Sequence, residues 1–125
     1  MKALSLKQPW AELIVSGRKT LEIRKWRTNF RGEFLIHASK VPNSKAMERL
    51  GFKNLPTGCI VGKAKIVDVK EYNSIEEFER DTDKHFAKDY EWNGKLYGFV
   101  VKDAQRVKEK PLKGQLNFFE VDYYN

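Results

Sequence analysis

The run from Cys59 to Tyr72, CIVGKAKIVDVKEY, limits the fold more than any other segment of the chain. Its apolar residues keep a period of two and then change parity: Ile60, Ala64 and Ile66 share one face, whereas Val67 and Val69 fall on the other. A strand of that length with such a slip needs a bulge or a sharp bend, the device by which a small sheet curls into a barrel. Strands are also predicted over 2–6, 20–26, 33–39, 97–102, 105–112 and 118–123, with Pro111 suggesting an edge. Helices are predicted over 9–16 and over 44–50, the latter ended by Gly51. Ser74 and Glu77 form a capping box for an acidic helix that Ile75, Phe78 and Phe86 carry to about Tyr90. The class is therefore α+β, a small β-barrel with short flanking helices. No repeat, low-complexity tract or Pro-rich linker divides the 125 residues, which read as one domain over 1–125.

Ser5 to Trp26 carries the chemistry. Pro9 suits the first helical position, where a missing N–H is harmless, and Trp10, Leu13 and Ile14 form one apolar stripe behind it. Gly17 stops the helix where a left-handed cap is wanted. Beyond it the chain alternates: Leu21 and Ile23 face one side, and Thr20, Glu22, Arg24 and Trp26 face the other. A carboxylate, a guanidinium and an indole thus share one strand face. Charged strand residues are most often solvated, and an exposed Glu22–Arg24 pair would contribute only about 0.2 to 1 kcal/mol.

Composition excludes several classes. One cysteine, Cys59, in an apolar run, admits neither an internal disulfide nor a cysteine metal cluster, and His37 and His85 stand in unlike contexts, so no metal or cofactor is expected. The same cysteine usage points to a reducing, cytoplasmic setting. No apolar tract approaches the roughly 18 residues of a membrane span, and the N-terminus lacks the pattern of a secretory signal. There is no phosphate-binding glycine loop, dinucleotide fingerprint or calcium loop. No Ser-His-Asp or Cys-His set is readable, because His37 lies in a strand and Cys59 reads as buried.

The net charge of +7 is unevenly spread: 15 basic against 5 acidic residues over 1–70, 4 against 8 over 71–95, and 5 against 4 thereafter. A basic N-terminal half suggests a face for a polyanion, with the acidic segment turned away; a generally basic surface would give the same numbers. Lys19, Arg24, Arg27 and Arg31 are the candidate phosphate holders, although Arg27 and Arg31 also fit solvated loop charge. Trp10 and Trp26 are candidate stacking platforms, and Trp10 equally fits a core position. Glu22 is the most diagnostic residue. A surface built only for phosphates has no use for a carboxylate, so in a cleft it would orient Lys19 or Arg24, or accept an N–H from a base.

The segment LSLKQPWAELIVSGRKTLEIRKW, with Arg31 to Ala38, Pro56 to Gly62 and Lys113 to Glu120, resembles the ASCH family, the activating-signal-cointegrator homology domains. Its most specific part is a GxKxxExR core, here Gly17, Lys19, Glu22 and Arg24, preceded by Gln8-Pro9-Trp10. The resemblance implies a small PUA-like β-barrel with helices at its openings and a cleft lined by the core residues, in a group known mainly for RNA binding. It adds Gln8 to the candidate binding set of Trp10, Lys19, Glu22, Arg24, Trp26, Arg27 and Arg31. Some members are hydrolases, one branch acting on acylated cytidine and another described as a ribonuclease. In the acylcytidine branch a Thr and a Lys serve as nucleophile and partner; Lys19 matches the Lys, and Glu22 stands where the Thr would be. Two readings follow. The first is a module for RNA or single-stranded nucleic acid. The second is a hydrolase of a modified nucleoside or of RNA, with Lys19 and Glu22 as its catalytic pair. A protein-interaction module using the acidic helix is a weaker third.

Overall fold

A computed structural model describes residues 1–123. The elements run β1 (Lys2–Leu6), α1 (Trp10–Val15), β2 (Leu21–Arg24), β3 (Gly32–Ala38), α2 (Ser44–Arg49), β4 (Cys59–Tyr72), α3 (Ile75–Arg80), α4 (Thr82–His85), β5 (Leu96–Pro111) and β6 (Phe118–Glu120). They form one six-stranded sheet in the order β2-β5-β4-β3-β1-β6, antiparallel throughout except for the β1–β3 pair.

The sheet curls without closing. Among the described residues β2 and β6, at its two ends, share no ladder, so the expected barrel stands corrected to an open, curled sheet. The ends meet through side chains instead. Trp26, just beyond β2, packs edge-on against Phe118 of β6, with ring centroids 5.8 Å apart, and against Phe99 of β5 at 5.3 Å. Arg24 Nη2 donates to the Ser5 carbonyl of β1 across 2.9 Å. The four-residue β2 is too short to complete a backbone seam.

The parity slip in β4 has a direct cause. Its register against β5 shifts between Ile66, opposite Val101, and Asp68, opposite Val100, so that Val67 is the extra residue and is left exposed. Further shifts fall at Ile60/Gly62 and Lys63/Lys65. Opposite the last of these, Asp103 takes φ +55, and β5 continues through the point where two separate strands are expected. Because β2 covers only Tyr97 to Val100, the rest of β5 up to Pro111 is paired on one side alone, an edge as Pro111 suggests.

Leu4, Ile14, Phe34, Ile36, Phe99 and Val101 form the main core inside the curl. Burying apolar side chains of this size contributes about 1.5 to 3 kcal/mol each. Helix α1 lies close on the sheet because position 62 is glycine: a Cβ there would stand 2.5 Å from Val15 Cγ2. Pro9 sits one position earlier than expected, at the N-cap. The acidic helix ends at Arg80 rather than near Tyr90. Asp81 there turns inward, accepting from the Tyr72 hydroxyl and from Lys70 Nζ, both at 2.6 Å, and this interrupts the helix before α4. Phe78, Tyr72, Leu96, Leu21 and Ile23 make a second core beneath α3 and α4. No helix among the described residues is long and apolar enough to cross a membrane.

Candidate binding cleft

Gly17 takes φ +84, a conformation that a side chain resists, and the reversed chain is fastened by the Lys19 N–H to the Leu13 carbonyl at 2.9 Å. This turn sends the Lys19 side chain inward, where it is 2% exposed. Its Nζ donates to the carbonyls of Leu21 at 2.6 Å and His85 at 2.5 Å and lies 3.4 Å from Glu22 Oε1. Three acceptors match the three protons of an ammonium. Burial pushes the Lys19 pKa down, and the Glu22 carboxylate opposes that shift.

Glu22 is buried too, and its other oxygen, Oε2, accepts from Arg24 Nε at 2.9 Å. With Nη2 on the Ser5 carbonyl, Arg24 keeps Nη1 without a partner among the described residues. The strand face of Glu22 and Arg24, which taken alone also fits a solvated ion pair, joins Lys19 in a chain of three charges, Lys19–Glu22–Arg24, on the wall of a cleft of about 1590 Å³. Trp10, Trp26 and Tyr90 stand beside it, and the exposed Lys7, Lys25, Lys40, Lys45 and Lys113 line the same space. Trp10 is partly buried, its indole N–H donating to the Phe86 carbonyl at 3.0 Å. Burial raises the Tyr90 pKa; Arg24 pulls it down and Glu22 pushes it up, so the phenol feels both charges.

Five of the eight residues singled out from sequence thus line one cleft: Trp10, Lys19, Glu22, Arg24 and Trp26. The other three stand apart. Gln8 is buried and committed to structure, its amide nitrogen donating to the Pro56 carbonyl and its oxygen accepting from the Glu12 N–H, both at 2.9 Å. Arg27 is exposed and faces Glu71 at 3.5 Å, and Arg31 bonds the carbonyls of Thr28 and Phe30. Lys19, expected among the phosphate holders, has every proton engaged inside the protein. The acidic segment is only partly turned away, since Ala87, Asp89 and Tyr90 help to line the cleft and Asp89 pairs with Arg49. Ser5, Tyr90, Lys40 and Lys113 also line the cleft without being singled out by the sequence, although Ser5 heads the Ser5 to Trp26 segment. Of these Lys113 had a signal, standing at the head of the Lys113 to Glu120 segment. Among the described residues no group of three or more His, Cys, Asp or Glu could hold a metal ion.

Comparison with known proteins decides the family. The ASCH domain profile matches residues 4–109. The chain belongs to the ASCH domain family. The ASCH chain is 28% identical over 138 residues to activating signal cointegrator 1 of Mus musculus and, equally, to that of Homo sapiens. Those alignments cover 95% of this chain but 22% of either relative, so it spans less than a quarter of their length. In fold, this ASCH chain is similar to the crystal structure of ASCH from Zymomonas mobilis, with TM-score 0.71 and 19% identity over 97% of this chain and 87% of that one. A single-residue variant of that protein gives TM-score 0.73, covering 97% and 89%.

Proposed function

We propose that this ASCH chain, acting as one unit over 1–125, binds RNA or another single-stranded nucleic acid and seats one base against Glu22 and Arg24. The observation that carries this reading is the Lys19–Glu22–Arg24 chain. Lys19 and Arg24 hold the carboxylate in place from both sides, so Glu22 presents a fixed acceptor to an exocyclic amine or ring N–H, while Arg24 Nη1 is free to donate to a base carbonyl. Trp10, anchored through its indole N–H, supplies a rigid flank on which a base could stack for about 1 to 3 kcal/mol. The exposed lysines around the cleft would hold the phosphates.

A catalytic Lys19–Glu22 pair fits this geometry less well. An amine whose three protons are held by three acceptors and a carboxylate braced on both oxygens are groups fixed for orientation, and the engaged amine is not presented for attack. The single buried Cys59 suits a reducing, cytoplasmic setting.

Fluorescence anisotropy with a labelled single-stranded RNA tests the proposal. Affinity should fall with salt at a slope of about −0.7 per phosphate contact, and Lys40→Gln with Lys113→Gln should both weaken binding and flatten that slope. Wild-type binding that is absent, or indifferent to both substitutions, would refute it.

A further inference from the structure

Ser5 and His37 stand opposite each other in the parallel β1–β3 pair, with Ser5 Oγ 2.9 Å from His37 Nδ1. The other ring nitrogen, Nε2, lies 2.6 Å from the Leu112 carbonyl oxygen. A carbonyl can only accept, so Nε2 bears a proton; in the neutral imidazole Nδ1 then keeps its lone pair and the Ser5 hydroxyl donates to it. A hydroxyl hydrogen-bonded to a base that a third group orients is the arrangement that activates a serine nucleophile.

Gly114 packs against the pair, so that His37 is buried and Ser5 is the member that faces the cleft. Ser5, His37 and Gly114 all line the cleft, and Ser5 is partly exposed. A Cβ on Gly114 would stand 2.7 Å from Ser5 Oγ and 2.8 Å from His37 Cε1. Gly114 is not among the glycines with positive φ, so this position is small for space and not for backbone conformation. Two donors are at hand for a developing oxyanion. Arg24, its Nη2 committed to the Ser5 carbonyl at 2.9 Å, keeps Nη1 without a partner, and the Gly114 N–H makes no hydrogen bond among the described residues.

We propose that Ser5 and His37 are a nucleophile and general base that hydrolyse an acyl ester on an anionic carrier held in the cleft. Ser5 Oγ passes its proton to His37 Nδ1 and bonds to the ester carbon, whose carbonyl electron pair moves onto oxygen. Collapse breaks the bond to the alcohol, which leaves with the proton from Nδ1. Water then attacks the acyl-serine, Nδ1 takes its proton and returns it to Ser5 Oγ, and the carboxylic acid departs. Lys7, Lys40 and Lys113 would hold the carrier's negative charge. This step requires only an anionic ester and stands apart from the nucleic-acid reading.

The test uses the whole chain, a fluorophosphonate probe and p-nitrophenyl acetate. One adduct is expected, mapped by peptide mass spectrometry to Ser5, with ester turnover reduced about 100-fold or more in Ser5→Ala and in His37→Gln. Gly114→Ala should still unfold in a single transition, at a lowered melting temperature because its methyl group meets the Ser5 hydroxyl and the buried His37 ring, and should lose the adduct. A pair that serves only to clamp the 112–117 loop to the sheet would give folded wild-type protein with no adduct at Ser5, and that result overturns the proposal. Turnover unchanged in Ser5→Ala would overturn it equally. Should His37→Gln fail to fold, the wild-type adduct map and Gly114→Ala still decide.

Discussion

Replacing Lys19 with Met keeps the apolar stem and removes only the ammonium. In the folded protein that group satisfies two buried carbonyls and one oxygen of Glu22, with the side chain 1% exposed. Removing one partner of a buried ion pair is destabilising by about 3 to 5 kcal/mol, and a buried acceptor left unsatisfied by about 1 to 3. Part of this is offset, because burying the ammonium is itself unfavourable, as its lowered pKa records. A net loss of about 3 kcal/mol is expected for Lys19→Met, equivalent to roughly 10 °C in melting temperature for a chain of this size. Urea unfolding, followed in parallel by circular dichroism and tryptophan fluorescence, measures it while checking that the transition is two-state. A double-mutant cycle with Glu22→Gln should show coupling of about 0.5 to 3 kcal/mol. A loss below about 1 kcal/mol at unchanged denaturant slope, with no coupling, would show that Lys19 does not brace Glu22.

Gly62→Ala should destabilise by about 1 to 3 kcal/mol in the same assay, because its Cβ meets Val15 Cγ2 at 2.5 Å and the Gln105 carbonyl at 2.7 Å; full stability would show that α1 can shift freely. His85 is fully buried, with Nε2 donating to the Phe78 carbonyl at 2.8 Å and Nδ1 accepting from the Ala87 N–H at 2.9 Å, and burial lowers its pKa from 6.5. The unfolded chain therefore takes up a proton first, so stability falls as pH drops below 6.5 towards the depressed folded value, by at most about 1.4 kcal/mol per pH unit. His85→Gln should remove that slope in melts between pH 7 and 5; a slope that persists assigns it elsewhere. Arg27→Gln, whose side chain lies outside the cleft on Glu71, should leave RNA affinity and its salt slope unchanged.

Local signals were legible where local physics decides. The β4 bulge follows from a parity slip at Val67, the Gly17 turn from the need for positive φ, and the α3 start from Ser74, whose side chain accepts the Glu77 N–H. What escaped reading depends on contacts between distant segments. Asp81 breaks the acidic helix only because Tyr72 and Lys70 of β4 are beneath it, and Lys19 is enclosed because the His85 carbonyl meets it from α4. Ser5 and His37 meet only through a parallel pairing that no short-range pattern announces. The strand face of Glu22 and Arg24 showed the right grouping, but alternation alone cannot tell a solvated face from the wall of a cleft.

Whether a base is seated at Glu22 and Arg24 is read by nitrogen-proton NMR of the labelled chain titrated with a short single-stranded RNA. Concerted shifts of the Trp10 indole N–H, the Arg24 Nε–H and the Tyr90 amide are expected, saturating at one RNA per chain. Saturation with those three signals unmoved, or with shifts confined to α3 and α4, would contradict it.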